Sequence, residues 1–379
     1  MLLELWPLLT RYKNSNKEIK NKTQSLRQTI ASLSQSTPKL LYLHHEWGGG
    51  VELYLQNKIK ELKNDTYIFV IFYQKKINKI NLRITFQGQS SSFLFDNFQE
   101  LLDVFSAIKI DTIYINQISF FPDLGVVFDF IKQIKNKDAK TTMLMHDFSS
   151  ICSNANLIKN DGGVCNIVGD KSSCECNTSA GENLKKWKEF LNNQADEIIC
   201  FSESSKQILS NTHPFISDKI NIERHYVPPL RKANVIKKTP IINIATIGFL
   251  NKIKGCDIAE EMSKIIADNN LPVKIFVVGK FKAKAGKAIK VLGKYVRDDL
   301  PKIIEDNQID LIFISSICPE TFSYTAHEAM MMGVKTACFD LGAQAEYIGD
   351  YEKGLVISRI DAGVALDEIL DFINGASEN

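Results

Sequence analysis

The stretch from Asp310 to Asp340 constrains the fold most, because it has the pattern of a complete strand, turn, helix and strand. An apolar run, Leu311–Ile314, ends in small residues and a proline, and the helical pattern that follows stops at Gly333 before a second apolar run. Two parallel strands need a crossover connection of this kind, usually a helix. The segment therefore predicts a βαβ unit that carries two carboxylates, Glu320 and Glu328, at its upper end.

The loop after the first strand and the first turn of the helix form the edge at which open α/β sheets bind ligands. Backbone N–H groups near Phe322, Ser323 and Tyr324 would lack intrahelical acceptors there, which suits a phosphate group. Two carboxylates would repel a phosphate, so we expect Glu320 and Glu328 to hold hydroxyl groups instead. A phosphate and several hydroxyls together indicate a nucleotide-sugar.

The same alternation of strands and helices begins at Lys39, which indicates a parallel sheet covered on both faces. A buried strand at Leu40–Leu43 leads to three glycines, where Gly49 and Gly50 can point N–H groups at an anion. His146 follows an apparent strand at Thr142–Met145. It is placed to hydrogen-bond a substrate or to stabilise a sugar transition state; a histidine that only caps the strand end is the alternative.

The second half of the chain opens with a similar strand, Ile241–Ile247, followed by the loop Gly248–Gly255. Lys254 stands just before the next helix, where a lysine supplies a point charge for a leaving phosphate. Tyr295 and Val296 are interpreted as the end of a strand at the sheet top, where backbone groups commonly hold a base. Several lysines between these segments suit an anionic acceptor or lipid headgroup, or a solvated face.

The length and charge of the chain limit its organisation and its partners. At 379 residues it is too long for one ordinary core, so we expect two domains. The predicted boundaries are a helical extension at 1–37, a first domain at 38–230, a hinge at 231–240 and a second domain at 241–379. The net charge of +2 argues against a protein organised around nucleic acid.

No apolar run approaches the roughly 18 residues that cross a bilayer, and the N-terminus lacks the pattern of a secretory signal. We therefore expect a cytoplasmic location, including the inner face of the membrane. Residues 1–37 open with leucines and Trp6 and then turn polar. This extension is interpreted as a membrane or partner contact, as a linker helix of a multidomain enzyme, or as a helix packed on its own domain.

The polar loop at 148–181 interrupts the alternation and contains four cysteines, Cys152, Cys165, Cys174 and Cys176. A long loop inside a compact domain is either functional or held together by a cross-link or metal. Four thiolates can hold a structural zinc ion, although a single residue between Cys174 and Cys176 is a short spacing. Unligated thiols or a disulfide pair are the alternatives.

Motifs from both halves combine into one pattern. Seven residues separate the two glutamates in the run Glu320-Thr-Phe-Ser-Tyr-Thr-Ala-His-Glu328-Ala-Met-Met-Met-Gly333. The chain carries Gly248-Phe249-Leu250 with Lys254-Gly255, and also Gly49-Gly50-Val51-Glu52. From about Lys39 onward it resembles the retaining glycosyltransferases of glycosyltransferase family 4, in particular members that build bacterial surface polysaccharides. Phe249 replaces the arginine of that family's phosphate loop, and Ser323 replaces a glycine.

The resemblance implies the GT-B fold, an α/β architecture of two Rossmann-like domains facing each other across a cleft. It implies transfer of a hexose or deoxyhexose, with retention, from a nucleoside-diphosphate sugar to a glycan or lipid-linked glycan, with no metal cofactor required for catalysis. Glu320 would bind the donor sugar, Glu328 the ribose, and His146 the sugar or its developing cation. Lys254, with Lys252 or Arg297, would balance the diphosphate together with N–H groups near Ser323, Tyr324, Gly49 and Gly50.

Two other interpretations keep the same fold. The missing arginine and the cysteine loop favour a non-catalytic protein that binds a nucleotide-sugar or glycan. An epimerase or phosphorylase acting on sugar nucleotides or phosphates would change the chemistry but use the same kind of pocket. Fold alone does not decide among these functions.

Overall fold

The computed structural model describes residues 26, 30, 33, 36–45, 47–62, 65–165 and 181–375. Contacts divide the described chain into two units. The first unit comprises the described residues up to 153 together with 181–200 and 213–221, and the second comprises 154–165, 201–212 and 222–375. Most of the predicted extension at 1–37 lies outside the described residues, as do Cys174 and Cys176.

The first unit is built on an eight-stranded sheet. Its strands are β1 (Lys39–His44), β2 (Tyr67–Gln74), β3 (Lys79–Phe86), β4 (Gln89–Phe95), β5 (Thr112–Ile115), β6 (Lys140–Leu144), β7 (Glu197–Cys200) and β8 (Ile220–Ile222). Their order is β4-β3-β2-β1-β5-β6-β7-β8. The pairs β1–β2, β1–β5, β5–β6 and β6–β7 are parallel, so the ends of the central strands open on one edge.

The helices of this unit are α1 (Gly50–Glu61), α2 (Phe98–Phe105), α3 (Leu124–Ile134) and α4 (Gly181–Asn193), with a short 3-10 helix at Pro214–Lys219. Phenylalanines fill the space between helices and sheet: the Phe105 ring lies edge-on to Phe69 and to Phe130. Burying such rings supplies much of the hydrophobic stabilisation of a core.

The expectation of a wholly parallel sheet is wrong at one edge of the first unit, where β2, β3 and β4 form an antiparallel meander. The connections are too short for a crossover helix, which parallel pairing requires. Gln87 and Gly88 alone join β3 to β4, and their φ values of 49° and 74° fit the two-residue turn that favours hairpins.

The second unit contains a six-stranded sheet in the order β11-β10-β9-β12-β13-β14. Its strands are β9 (Ile242–Leu250), β10 (Val273–Phe281), β11 (Ile289–Val291), β12 (Leu311–Ile314), β13 (Lys335–Phe339) and β14 (Gly354–Ile357). All of these pairs are parallel. The helices are α5 (Glu203–Thr212), α6 (Cys256–Asp268), α7 (Leu300–Asp306), α8 (Tyr324–Met332), α9 (Gly342–Gly349) and α10 (Ala362–Asn374), with a 3-10 turn at Arg297–Asp299.

Apolar clusters cover both faces of this sheet. One cluster joins α6 and α10 to residues such as Phe313 and Phe339, and the other joins α7 and α8 to Phe276 and Ile312. Because both faces are covered, the central strand β12 is apolar along its whole length (Leu-Ile-Phe-Ile) and fully buried, as expected for parallel sheets. Among the residues that the structure describes, no helix combines the length and apolar character needed to cross a membrane.

The sequence predicts a strand at Leu311–Ile314 and a final helix at about Ala362–Asn374, and both are confirmed as β12 and α10. Two predictions are corrected. The run Ile220–Tyr226 also predicts a strand, but β8 ends at Ile222, and the chain continues to Pro228 and Pro229, which cannot donate to a strand ladder. Tyr295 and Val296 do not end a strand, because β11 stops at Val291 and Gly293 then turns the chain with a φ of 83°.

Candidate functional site

The loop after β12 brings Glu320 together with Lys254, which follows β9. These two strands are neighbours in the sheet, so the loops at their carboxyl ends meet at one edge. The Lys254 ammonium lies 2.5 Å from Glu320 Oε1, and the Ser316 hydroxyl donates to the same oxygen at 2.6 Å. The side chain of Glu320 is 10% exposed and that of Lys254 is 45% exposed, so the pair opens to solvent on the lysine side.

Two glycines allow the backbone to approach this closely. A Cβ atom at Gly255 would lie 1.9 Å from the Ser315 carbonyl oxygen, and one at Gly342 would lie 2.5 Å from the Glu320 nitrogen. The fully buried Gln344 completes the arrangement: its Oε1 accepts from the Glu320 N–H at 3.0 Å and its Nε2 donates to the Cys318 carbonyl at 2.8 Å. The backbone that carries Glu320 is therefore fixed from β9 and from α9.

The ion pair favours the charged forms of both partners. Burial acts to raise the pKa of Glu320, but attraction to Lys254 and hydrogen bonds from Ser316 and Ser323 hold that pKa below its ordinary value. Burial acts to lower the pKa of Lys254, but the Glu320 carboxylate raises it above the ordinary value. A carboxylate and an ammonium are therefore both ionised at neutral pH.

A second ion pair joins Glu328 of α8 to Arg297. Arg297 Nε donates to Glu328 Oε1 at 2.8 Å, and Arg297 Nη2 donates to the Pro228 carbonyl at 2.5 Å. Burial raises the pKa of Glu328, and the arginine partly offsets this effect. Burial also raises the pKa of Tyr295 to about 12, with a smaller contribution from Glu328. Arg297 thus has a carboxylate partner in the described structure, as Lys254 does.

The start of α8 is fixed by a hydroxyl cap and an aromatic stack. Ser323 is the N-cap residue, and its hydroxyl accepts from the Ala326 N–H at 3.4 Å. The Phe322 ring stacks on His225 with centroids 4.2 Å apart and on His327 at 4.5 Å. The Tyr324 hydroxyl lies 3.1 Å from His225 Nδ1. Phe322, Ser323 and Tyr324, which the sequence predicts as site residues, therefore each have defined contacts at the start of α8.

Phe249 occupies the place where the resembling family has an arginine, and its side chain is 48% exposed. Lys280 pairs with Phe249 across β9 and β10. The Lys280 and Lys282 ammonium groups lie 5.8 Å and 5.7 Å from the Phe249 ring centroid. The ammonium groups of Lys280 and Lys282 therefore place positive charge beside Phe249, where cation–π attraction holds them.

The predicted base-binding segment lines an open cavity of about 660 Å³. Its lining includes Tyr295 and Val296, and charged residues of the 3-10 turn and of α7. The Val296 side chain is 65% exposed. This segment follows β11 and precedes Arg297, so it is contiguous in the chain with the Glu328 ion pair.

In the first unit, three adjacent strands each end in a polar residue. His44 ends β1, Asn116 follows β5, and His146 lies just beyond β6. Asn116 Nδ2 lies 2.8 Å from His44 Nδ1, and Asn116 Oδ1 lies 2.9 Å from His146 Nε2. With the amide in this orientation, Asn116 donates to His44 and accepts from His146. His146 is thus hydrogen-bonded to a side chain of the neighbouring strand end.

His44 also connects this network to α1, which follows the glycine triplet. His44 Nε2 donates to Glu52 at 2.7 Å, and this hydrogen bond lowers the pKa of Glu52 to about 2 despite partial burial. Gly49 is the N-cap residue of α1 with a φ of 81°, and Gly50 is the first residue of the helix. An L residue rarely adopts that φ, so the glycine allows the chain to turn into α1 at this point.

The residues of these clusters that the sequence analysis does not single out include Asn116, Ser316 and Gln344. A signal for Asn116 was present, since it directly follows an apolar run, as His146 does. Ser316 sits among small residues that gave no such signal. Gln344 belongs to α9, which the sequence interpretation did not include.

The zinc hypothesis stays a prediction, because two of its four cysteines lie outside the described residues. Cys152 and Cys165 are half-buried in the loop after β6. The part of the chain that the structure describes contains no group of three or more His, Cys, Asp or Glu residues placed to hold a metal ion. Metal analysis of protein purified without added zinc tests the hypothesis: about one zinc per chain supports it, and absence of near-stoichiometric zinc removes it.

Residues 242–374, within the second unit, match the family model described as glycosyl transferases group 1. A comparison with curated proteins found no match. Among solved structures, HepE from Anabaena in complex with UDP is similar at a TM-score of 0.59 and 16% identity, over 89% of this chain and 91% of that one. Sucrose-phosphate synthase from Thermosynechococcus elongatus gives a TM-score of 0.58 at 12% identity, over 89% and 90%.

A third neighbour is the catalytic domain of starch synthase IV from Arabidopsis thaliana bound to ADP and acarbose. Its TM-score is 0.55 at 14% identity, over 90% of this chain and 92% of that one. At these identities the likeness establishes the fold, which is that of GT-B glycosyltransferases. The family match and the shared fold together support a glycosyltransferase.

Proposed function

We propose that this protein is a retaining glycosyltransferase. It moves a hexose or deoxyhexose from a nucleoside-diphosphate sugar to a growing glycan or lipid-linked glycan of the surface-polysaccharide or lipopolysaccharide type. The proposal includes a cytoplasmic location, with contact of residues 1–37 to the inner face of the membrane or to a larger enzyme. It requires no metal for catalysis.

One observation carries the proposal: the Lys254–Glu320 pair, fixed at the carboxyl ends of β9 and β12 beside the start of α8. A lysine paired with a carboxylate can exchange that partner for a phosphate group when a donor binds. The released carboxylate is then available to accept hydroxyl hydrogens of the sugar. Both groups lie within the segment that matches glycosyl transferases group 1.

The proposed chemistry assigns one step to each cluster. The bond between the anomeric carbon and the diphosphate oxygen breaks, while the acceptor oxygen bonds to the same face of that carbon. The acceptor proton passes to the leaving diphosphate, so no protein base is needed, and direct same-face attack by the acceptor needs no protein nucleophile. Lys254 and N–H groups at Ser323 and Tyr324 stabilise the charge that develops on the diphosphate, with Gly49 and Gly50 as further donors.

The remaining carboxylate and the first-unit histidine take binding roles. Glu328 binds the ribose hydroxyls, and the segment Tyr295–Val296 holds the base. His146 contacts the transferred sugar or its developing positive charge. Its hydrogen bond to Asn116 fixes the ring and identifies Nε2 as the protonated nitrogen.

The direct test incubates the purified chain with UDP-, GDP-, ADP- and dTDP-sugars and mixed glycan acceptors, and measures nucleotide release and product anomers. UDP-glucose is the first donor to try, because a solved structure of the similar Anabaena protein contains it. Nucleotide release with product of the donor's anomeric configuration supports the proposal. An inverted product contradicts retention, and no release with any donor contradicts the enzyme.

A second candidate is a non-catalytic nucleotide-sugar or glycan binding protein. The observation that favours it is that Lys254 and Arg297 are both engaged by carboxylates, while Phe249 stands where the resembling family has an arginine. Calorimetry with UDP, GDP and dTDP separates the two candidates. Tight nucleotide binding without turnover supports the binding protein, whereas turnover excludes it. The sequence also left open an epimerase or phosphorylase, which the same donor panel would reveal by its products.

A further inference from the structure

Trp47 and Phe120 form an exposed aromatic pair in the first unit, just beyond β1. Their rings stack with centroids 4.2 Å apart and planes at 23°. The Trp47 residue is nevertheless 69% exposed, so one ring face is covered and much of the rest is open to water. An indole ring left in water carries an unfavourable hydration cost, which a ligand with an apolar face would remove.

A neighbouring histidine holds this pair in place. The Trp47 N–H donates to His45 Nδ1 at 3.0 Å, and the His45 ring lies edge-on to Phe120 at 5.3 Å. Burial lowers the pKa of His45 to about 4, with a further contribution from His44. The imidazole is therefore neutral at pH 7, and its Nδ1 remains an acceptor for the Trp47 backbone. The indole is thus positioned before any ligand arrives.

Hydrogen-bonding side chains stand in the same loop as Phe120. Ser119, the residue before it, donates its backbone N–H to Gln117 Oε1 at 2.8 Å. Asp147 Oδ2 accepts from Gln117 Nε2 at 2.5 Å and from the Ser119 hydroxyl at 3.3 Å. The loop of Phe120 thus carries an amide and a hydroxyl, both hydrogen-bonded to the Asp147 carboxylate. An open aromatic face together with such polar groups suits a sugar ring, which is apolar on one face and carries hydroxyls around its edge.

The aromatic pair is connected by contacts to the His146 network. His45 stacks on His44 with centroids 4.9 Å apart, and His44 reaches His146 through Asn116. The aromatic pair is therefore linked, through His45, His44 and Asn116, to the histidine that the proposed function gives to the transferred sugar.

We propose that Trp47 and Phe120 form a subsite for a pyranose ring of the acceptor glycan, bordered by Gln117, Ser119 and Asp147. The assignment of this sugar to the acceptor rests on the proposed function, whereas the binding of a sugar ring at this site does not depend on it. Trp47 stacks on the ring, and the polar border selects hydroxyl orientation. The pair is a binding surface and takes no part in proton transfer.

Fluorescence tests the sugar site without any turnover. In a Trp6→Phe background, emission comes from Trp47 and from Trp187, which is buried. Methyl pyranosides of glucose, galactose, mannose and N-acetylglucosamine serve as probes. At least one should give a saturable change that Trp47→Ala abolishes and Phe215→Ala, at another exposed aromatic of the first unit, retains. No saturable change with any probe overturns the proposal.

Kinetics then decide which sugar the subsite serves. Once a donor is found, Trp47→Ala should raise the KM for the acceptor about tenfold, with a much smaller change in the KM for the donor. Trp47→Phe should restore most of the acceptor affinity, because it keeps an aromatic face. A rise in donor KM instead overturns the acceptor assignment. Pyranoside binding in a chain that turns over no nucleotide-sugar would retain the sugar site and reject the proposed function.

Discussion

The two units place polar side chains at the carboxyl ends of their central strands, but they use different chemistry to do so. The first unit has a chain of hydrogen bonds through imidazoles and the Asn116 amide, ending at one carboxylate, Glu52. The second has two pairs of opposite charge, Lys254–Glu320 and Arg297–Glu328. A network centred on an amide suits hydroxyl groups, whereas a paired lysine or arginine suits a diphosphate that can take the place of its carboxylate partner. In the proposed function, the amide network supplies the sugar contact of His146, and the lysine of the Lys254–Glu320 pair supplies the charge for the diphosphate.

The largest expected effect is at the charge pair that carries the proposed function. Glu320→Gln keeps the shape of the side chain but removes its charge, so nucleotide release should fall about 100- to 1000-fold. The rate of release from the best donor measures the effect. Glu352→Gln, an exposed carboxylate of the same unit, is the matched control. A Glu320→Gln rate close to that of the control would contradict the role that the proposed function gives to the Lys254–Glu320 pair.

Arg297→Met should destabilise the fold, because it leaves the buried Glu328 carboxylate without its partner. The expected loss is about 3 kcal/mol in the free energy of unfolding, and urea unfolding measures it. The double variant Arg297→Met/Glu328→Met should recover most of that loss, since neither charge then remains buried. Arg359→Met, at an exposed position, serves as the control. Failure of the double variant to recover would mean that the arginine acts through Pro228 rather than through the carboxylate.

Asn116→Ala tests the hydrogen-bonded network of the first unit. The substitution removes the amide group that donates to His44 and accepts from His146. Asn116 is only 1% exposed. Leaving buried polar groups unpaired should cost about 2 kcal/mol in the free energy of unfolding. Asn192→Ala, at an exposed position of the same unit, should cost under about 0.5 kcal/mol. Equal losses in the two variants would show that the network is not a stabilising element.

The smallest expected effect is a change in how the stability of the chain depends on pH, and it tests the Glu52 hydrogen bond of the first unit. In the folded chain the pKa of Glu52 is about 2, below its ordinary 4.5, so Glu52 contributes stability above pH 4.5 that is lost as the pH falls toward 2. Glu52→Gln should therefore lose less thermal stability than the wild type between about pH 5 and about pH 3. Glu61→Gln, at the exposed end of the same helix, should behave as the wild type does. A steeper acid loss in Glu52→Gln would reverse the assigned sign.

The βαβ segment from Asp310 to Asp340 could be predicted because the signals that define its strands and helix lie within a few neighbouring residues. Apolar runs of strand length flank a helix that Ser323 caps and Gly333 ends, and the structure confirms the strands and the helix. The antiparallel edge at β2–β4 departs from the α/β alternation of the rest of the chain, so that alternation predicts it wrongly. Its Gln87–Gly88 turn is also local and is the sequence signal that indicates a hairpin.

The sequence by itself determined which residue types stand after each strand, because a strand's length and its final polar residue depend on a few neighbouring positions. Only the tertiary structure decided the partners. Lys254 and Glu320 are 66 residues apart and Arg297 and Glu328 are 31 apart. Strand order brings such pairs together: β9 lies beside β12, and β1, β5 and β6 lie side by side. That order depends on long-range packing and crossover connections, which no local pattern specifies.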